Sequence, residues 1–381
     1  MRIVLVLDSF DPSRGGLESY AAAWASWLSR RGHEVHVVAA DGSDRADAIR
    51  LHRVEASAGD ALGRARALAA AAEALRPALI HDFGAGLGGD VFHPAYGARR
   101  ASRQGMLRAL SGRKRWRLLL SRAWRRRQAA LETLERRQVA SAARIVAVSA
   151  RTAAELEGKA GADPGRISII YNGVDCRHFV PASAVERRSV RARLGWPADL
   201  SVFLQVAHNF RLKGVASSLH ALASLRRQGL PAYLAIAGRG PDLEPYRLLV
   251  ARLGIADRTT FLGAVADPRP LYAAADALVH PTFYDTCSLS SIEAFAAGLP
   301  VALSVEDGAA ALMTDGVQGW LIRDPDDAAE VAFQMKRLME PGLRQAMGAQ
   351  ARVLAEHHDM EAAFTQLEAL FLGLARERSP T

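Results

Sequence analysis

Cysteine is scarce: the 381 residues hold two, and neither Cys176 nor Cys287 belongs to a CxxC pair. That spacing argues against a disulfide framework or a thiolate zinc site. Long apolar runs are also missing. No stretch reaches the ~18 uninterrupted apolar residues that a membrane-spanning helix needs. In the opening MRIVLVLDSF the apolar run Ile3–Leu7 stops at Asp8, so it reads as a buried parallel strand, not a leader, and a cytoplasmic protein is expected. Acids are in the minority, 40 Asp and Glu against 49 Lys and Arg, for a formal charge of +9. Such a balance favours an anionic partner: nucleic acid, a membrane surface or a phosphorylated substrate.

What the chain does have is apolar residues in short, alternating blocks. Half of it is hydrophobic and 23% is charged, an ordinary balance for a soluble globular protein. Strands are expected at Ile3–Leu7, Val35–Ala39, Leu79–His81, Ile145–Val148 and Ile167–Tyr171. Helices are expected over Leu17–Arg30, Ala65–Leu75 and from Ala150. The alternation then restarts. Strands at Val202–Ala207, Tyr233–Ala237, Thr260–Leu262, Ala277–His280 and Val301–Leu303 enclose helices at Val215–Leu225 and Leu243–Leu253, and Glu330 onward is helical. This predicts an α/β chain of two doubly wound halves joined near Asn172–Pro181. Open parallel sheets bind ligands beyond the carboxyl ends of their strands. Two such sheets facing each other make a cleft.

The loops after strands carry the polar chemistry. Gly15 and Gly16 precede a helix whose first amides offer a seat for phosphate or a sugar hydroxyl; a plain turn is the alternative. Arg211 and Lys213 follow a strand and precede a helix. A forked donor beside a point charge suits a diphosphate, and a solvated basic turn is the alternative. Gly238 and Gly240 allow close backbone approach, but no third glycine completes a dinucleotide fingerprint. In HPTFYDTCSLSSIEAFAAGLP, Asp285 stands in the loop before a helix and Glu293 lies eight positions later inside it. Ser288 or Ser290 can cap that helix. The amides of Cys287, Ser288 and Leu289 are expected to face the same space. One carboxylate would then take a sugar ring and the other a ribose, with phosphate between them. The alternative is an N-terminal helix charge and a solvent-facing glutamate.

Taken together these stretches resemble the retaining glycosyltransferases of family 4, which have the GT-B fold. The likeness is carried by GGLESYAAAWASWLSRRGHEVHVV, IVAVSARTAAEL, IIYNGVDCRHFVP, LAIAGRGPDLEPYRLLVARLGIADRTTFLGAV, LVHPTFYDTCSLSSIEAFAAGLPVALS and DGAAALMTDGVQGWLI, in the family's order and over nearly the whole chain. The resemblance implies an acceptor domain at 1–175 and a nucleotide-sugar domain at 176–358. A C-terminal helix at about 360–376 would pack back on the first. It implies no metal and no cofactor beyond the donor itself. Glu293 falls on the ribose-binding glutamate, Lys213 on the diphosphate lysine, Arg211 on its accompanying arginine, and Gly16 on the glycine facing the donor phosphate. Asp285 stands where the family usually has glutamate, a carboxylate drawn back by about 1.5 Å. His93 occupies the segment that often holds a histidine beside the reacting centre, with His81 a rival.

One segment is unusual. Residues 99–137 are dense in arginine, with only Glu132 and Glu135 opposing. Wound as one helix, Trp116, Leu120, Ala123, Trp124, Leu131 and Leu134 share a side, and Arg115, Arg122, Arg125, Arg126 and Arg137 lie largely opposite. This is a basic amphipathic element suited to anionic lipid, at roughly 1 kcal/mol per cation near the surface. A solvated helix packed on the first domain is the bland alternative; no nucleic-acid module surrounds the run. Within the family the arrangement most resembles the lipopolysaccharide-core glucosyltransferases. The expectation is a peripheral enzyme on the cytoplasmic face of the inner membrane, moving a hexose, glucose from UDP-glucose, to a phosphorylated glycolipid. Its rivals are a GT-B enzyme with another donor such as GDP-mannose and a soluble acceptor (an epimerase or a sucrose- or trehalose-type synthase included), and a non-catalytic GT-B protein that binds anionic surfaces.

Overall fold

The computed structural model describes residues 1–43, 49–55, 60–240 and 242–378. The chain divides into two compact units. The first comprises Met1–Gln104, Ser111–Tyr171 and Ala362–Thr381; the second comprises Gly105–Leu110 and Asn172–Glu361.

Among the described residues, the first unit holds β1 (Arg2–Phe10), β2 (Glu34–Gly42), β3 (Ile49–Arg53), β4 (Leu79–Asp82), β5 (Val91–Phe92), β6 (Arg144–Ala147) and β7 (Ile167–Ile169), in the order β3-β2-β1-β4-β5-β6-β7. Every pairing in it is parallel. The run IVLVL at the heart of β1 is buried on both faces, which is why it lacks a polar/apolar alternation. Trp24, fully buried on the helix Gly16–Arg30, packs on Phe364 and Phe371 of the helix Met360–Arg378, with ring centroids 5.1 and 5.6 Å away. Glu368 of that helix pairs with Arg31 at 3.1 Å and His33 at 3.0 Å.

The second unit holds β8 (Ser201–Val206), β9 (Ala232–Ala237), β10 (Thr259–Gly263), β11 (Ala277–His280), β12 (Val301–Ser304) and β13 (Gly319–Ile322), ordered β10-β9-β8-β11-β12-β13. From β8 the chain steps outward to β9 and β10, then returns to place β11 on β8's other side. That reversal is the topological switch point, where loops diverge and leave room for a ligand. Phe203, Leu234, Ile236, Val279 and Leu219 lie in its core, each fully buried.

Residues 99–137 depart from a single continuous helix. Helices span Arg99–Arg108, Gly112–Leu120 and Arg122–Ser141. Ser121 breaks the last two apart: its backbone is extended (φ −68°, ψ 112°), and its hydroxyl accepts the Trp124 amide at 3.3 Å. The apolar stripe is split as a result. Leu134 is buried, whereas Trp116 is 67% and Leu120 72% exposed. Among the described residues no helix is long and apolar enough to cross a membrane.

Candidate active site

The switch point of the second sheet brings two loops together. The loop after β8 carries Arg211 and Lys213, and the loop after β11 carries Asp285. Phe283 donates its amide to Leu212 O at 2.8 Å, and Thr282 Oγ1 donates to the same oxygen at 3.1 Å. Gly214 makes this approach possible. It has φ +66°, and a Cβ there would stand 2.0 Å from Pro281 O.

Across this seam Lys213 Nζ is bound to Asp285 Oδ2, each side chain 16% exposed. Burial alone would raise the Asp285 carboxyl. Lys213 and the His280 ring outweigh it and hold the group well below the usual carboxylate range. Arg211 is exposed on the same loop. Gly240, after β9, lies against Phe210; a Cβ there would come within 2.8 Å of the ring. Pro241, beside it, lies outside the described residues.

The helix after Asp285 spans Leu289–Ala296, so Leu289 opens it and Ser288 takes the cap position. The cap differs from expectation. Ser288 gives its amide to Asp307 Oδ1 at 3.0 Å and turns its hydroxyl to Asp307 Oδ2 and Ser291. The Ser288 amide is therefore committed to a carboxylate and not turned to an open phosphate seat. Cys287 is buried, and its carbonyl accepts from Asn172 Nδ2 at 3.0 Å. Burial, Asp307 and Asp285 all push its thiol well up, so it stays protonated. Glu293 accepts a 2.6 Å hydrogen bond from Tyr272 Oη. Burial raises its carboxyl, and the Tyr272 bond offsets part of that rise.

Asp307 and His280 were not foreseen. Asp307 sits in the loop after β12, where it also accepts the Ala309 amide at 2.9 Å. Its bond to Ser288 spans nineteen residues, and no local pattern announces it. His280, Asp285 and Asp307 have ligand atoms within 4.8 Å of one another. Each carboxylate is already engaged, Asp285 by an ammonium and Asp307 by two hydroxyls and two amides.

Gly15, Gly16 and His93 lie in the first unit. Gly15 is extended (φ 176°) and caps the helix that Gly16 opens, with Glu18 in the first turn. His93 follows β5 and is 3% exposed. Trp24 Nε1–H can only donate, so His81 accepts at Nδ1 (3.3 Å). As a neutral ring His81 then donates from Nε2 to His93 Nδ1 at 3.2 Å, which leaves the His93 proton on Nε2. Burial pulls the His93 ring down to about 3 and the His81 ring well below its ordinary value. His93 is thus a fixed, neutral hydrogen-bond donor.

Comparison with known proteins agrees with this architecture. Residues 14–178 match the model Glycosyltransferase Family 4, and residues 186–354 match Glycosyl transferases group 1. The chain has the GT-B fold, and its two halves match these two glycosyltransferase models in turn. D-inositol 3-phosphate glycosyltransferase 2 of Catenulispora acidiphila is 37% identical over 206 residues, 50% of this chain and 48% of that protein. D-inositol 3-phosphate glycosyltransferase of Streptomyces scabiei is 34% identical over 240 residues, 60% of this chain and 53% of that protein. The chain thus spans about half the length of the curated relatives it matches. The structure of WaaG, a glycosyltransferase involved in lipopolysaccharide biosynthesis, superposes with a TM-score of 0.81 at 24% identity, covering 97% of this chain and all of WaaG. HepE of Anabaena, solved with UDP-glucose, superposes at 0.75 and 21% identity, covering 98% of this chain and 100% of HepE. At these identities the structural likenesses concern the fold.

Proposed function

We propose that the chain is a retaining, metal-independent hexosyltransferase that moves glucose from UDP-glucose onto a phosphorylated glycolipid at the cytoplasmic face of the membrane. The observation that carries the donor half is the convergence of Lys213, Asp285 and the Asp307-anchored start of the Leu289–Ala296 helix at the switch point of the second sheet. A departing diphosphate gains negative charge, and a preorganised ammonium stabilises that charge more than it stabilises the bound donor. Arg211, exposed on the same loop, adds a second cation, and the amides of Cys287 and Leu289 supply further donors; within the first unit, the helix that Gly15 and Gly16 open offers its own amides to a phosphate. Asp285 orients the sugar and Glu293 the ribose. The leaving diphosphate accepts the acceptor's proton, so the neutral His93 of the first unit is required only as a hydrogen-bond donor that positions the acceptor.

The acceptor half rests on the basic segment. The helix Gly112–Leu120 buries none of its residues, and Arg113, Lys114, Arg115 and Arg117 surround the exposed Trp116. Cations around an aromatic suit a sheet of anionic headgroups. A second reading is favoured by the relatives named for D-inositol 3-phosphate: a small phosphorylated cyclitol as acceptor. The test is a transfer assay with labelled UDP-glucose, offered a phosphorylated glycolipid in anionic vesicles and inositol phosphate in solution. Label on the lipid supports the first reading. Label on inositol phosphate alone supports the second, and label on neither with any nucleotide sugar contradicts both.

A further inference from the structure

Lys213 serves two anions. On the donor reading its ammonium belongs to the diphosphate, yet it is also paired with Asp285, and each side chain is only 16% exposed. Drawing Lys213 onto phosphate leaves a largely buried carboxylate without its cation, an arrangement proteins avoid unless another positive group stands in.

His280 is placed to be that group. It ends β11, is 1% exposed, and neither of its ring nitrogens has a hydrogen-bond partner among the described residues. Its Nε2 lies 3.7 Å from Asp285 Oδ2 and 3.7 Å from Asp307 Oδ2. A buried, unpartnered imidazole is an exception that needs a reason. Of the two carboxylates, Asp307 is saturated by Ser288, Ser291 and Ala309, whereas Asp285 depends on Lys213.

We infer that His280 takes a proton from solvent when a nucleoside diphosphate draws Lys213 away, and then holds Asp285 in place as Lys213's substitute. The inference rests on the donor reading above. Asp285 and Asp307 face the ring directly, and both favour its cationic form once Lys213 withdraws. Lys213 stands beyond Asp285, and the protonated Cys287 thiol lies near both carboxylates. His208, near Lys213 and Arg239, is lowered by burial and by those cations and does not compete for the proton. His280 is a positioning residue: it meets Asp285, not the donor. The shortened carboxylate at 285 then stays ionised and aimed while its first partner is engaged elsewhere. Because binding takes up a proton, nucleotide affinity weakens as pH rises through the range in which the complex holds it.

The experiment is calorimetric titration of the full chain with UDP, and with GDP and ADP in parallel, at one pH in buffers of different ionisation enthalpy. The wild-type protein is expected to take up as much as about one proton more per nucleotide than His280→Gln. The difference removes the proton that the diphosphate itself exchanges. His280→Gln is expected to bind roughly 10-fold more weakly, the loss of one charged hydrogen bond. In wild-type protein labelled with ¹⁵N-histidine, the His280 ring should move from neutral to imidazolium shifts as UDP is added, a readout that needs no variant. Binding with equal proton counts, or a ring that stays neutral in the complex, overturns the inference and leaves the donor reading standing. No binding of any nucleoside diphosphate overturns the donor reading and the inference with it.

Discussion

Lys213 of the loop after β8 is ion-paired with Asp285 of the loop after β11, across the switch point of the second sheet. Removing Lys213 leaves Asp285 with the His280 ring alone, so Lys213→Ala is expected to lower unfolding stability, by less than the about 3–5 kcal/mol of a fully stranded buried charge. Adding Asp285→Asn should recover part of that loss. Urea unfolding of the single and double variants measures both. The Asp285 carboxyl is held below its unfolded value, near 3.9, so the pair's contribution is fully present above that pH. It is lost as pH falls below about 4, and Asp285→Asn should flatten acid unfolding there.

Gly214 sets the distance between those loops. A side chain at φ +66° is strained, and its Cβ would meet Pro281 O at 2.0 Å. Gly214→Ala is expected to cost about 1–3 kcal/mol in stability from the backbone alone. It should also lower kcat/KM by at least about 10-fold, because the lysine and the carboxylate are pushed apart. Paired unfolding and steady-state measurements separate the two effects.

Much of this arrangement could be read from the amino acids, and the unread part has physical reasons. Strands β1, β8, β9, β11 and β12 are short apolar runs between turn residues, a strong signal. β3 (IRLHR) escaped because it is half-exposed and rich in charge, and its neighbouring residues 44–48 lie outside the described ones. β13 (GWLI) is four residues long and opens on a glycine. Lys213 and Asp285 were each singled out, but their pairing is tertiary: 72 residues separate them. The same holds for Asp307 and Ser288. The break at Ser121 did have a local signal, a serine before an arginine-rich turn, which is an N-cap pattern inside the presumed single helix.

The first-unit histidines give a pH test. Their rings are held below the unfolded value of about 6.5, by burial at His93 and by burial with the neighbouring His93 at His81. The unfolded chain binds protons that the folded one refuses, so stability should fall as pH drops from about 6.5 toward 3. The transfer rate should show no limb from His93 between pH 5 and 8. Ring ¹⁵N shifts of His93 that remain neutral at pH 5 check the premise directly.

The basic segment gives a surface test. Neutralising Arg122, Arg125 and Arg126, all exposed, removes about 3 kcal/mol of attraction to anionic lipid, about 100-fold in vesicle affinity at low salt. The residual binding should be less sensitive to salt. Trp116→Asp should weaken association further without affecting nucleotide binding. Vesicle sedimentation with neutral and anionic lipid reports both. Unchanged association in the triple variant contradicts the membrane reading and leaves the donor site untouched.

The central claim is that the second unit holds a nucleotide sugar through Glu293 and Lys213. Burial keeps the Glu293 carboxyl raised despite the opposing Tyr272 bond, so Glu293→Gln should fold at least as stably at neutral pH. The decisive measurement is calorimetric affinity for UDP-glucose, GDP-mannose and ADP-glucose in the wild type, Glu293→Gln and Lys213→Ala. The account predicts one preferred nucleotide sugar and a loss of about 10- to 100-fold in each variant. Equal affinity in all three proteins, or binding of none of the donors by the wild type, would contradict it.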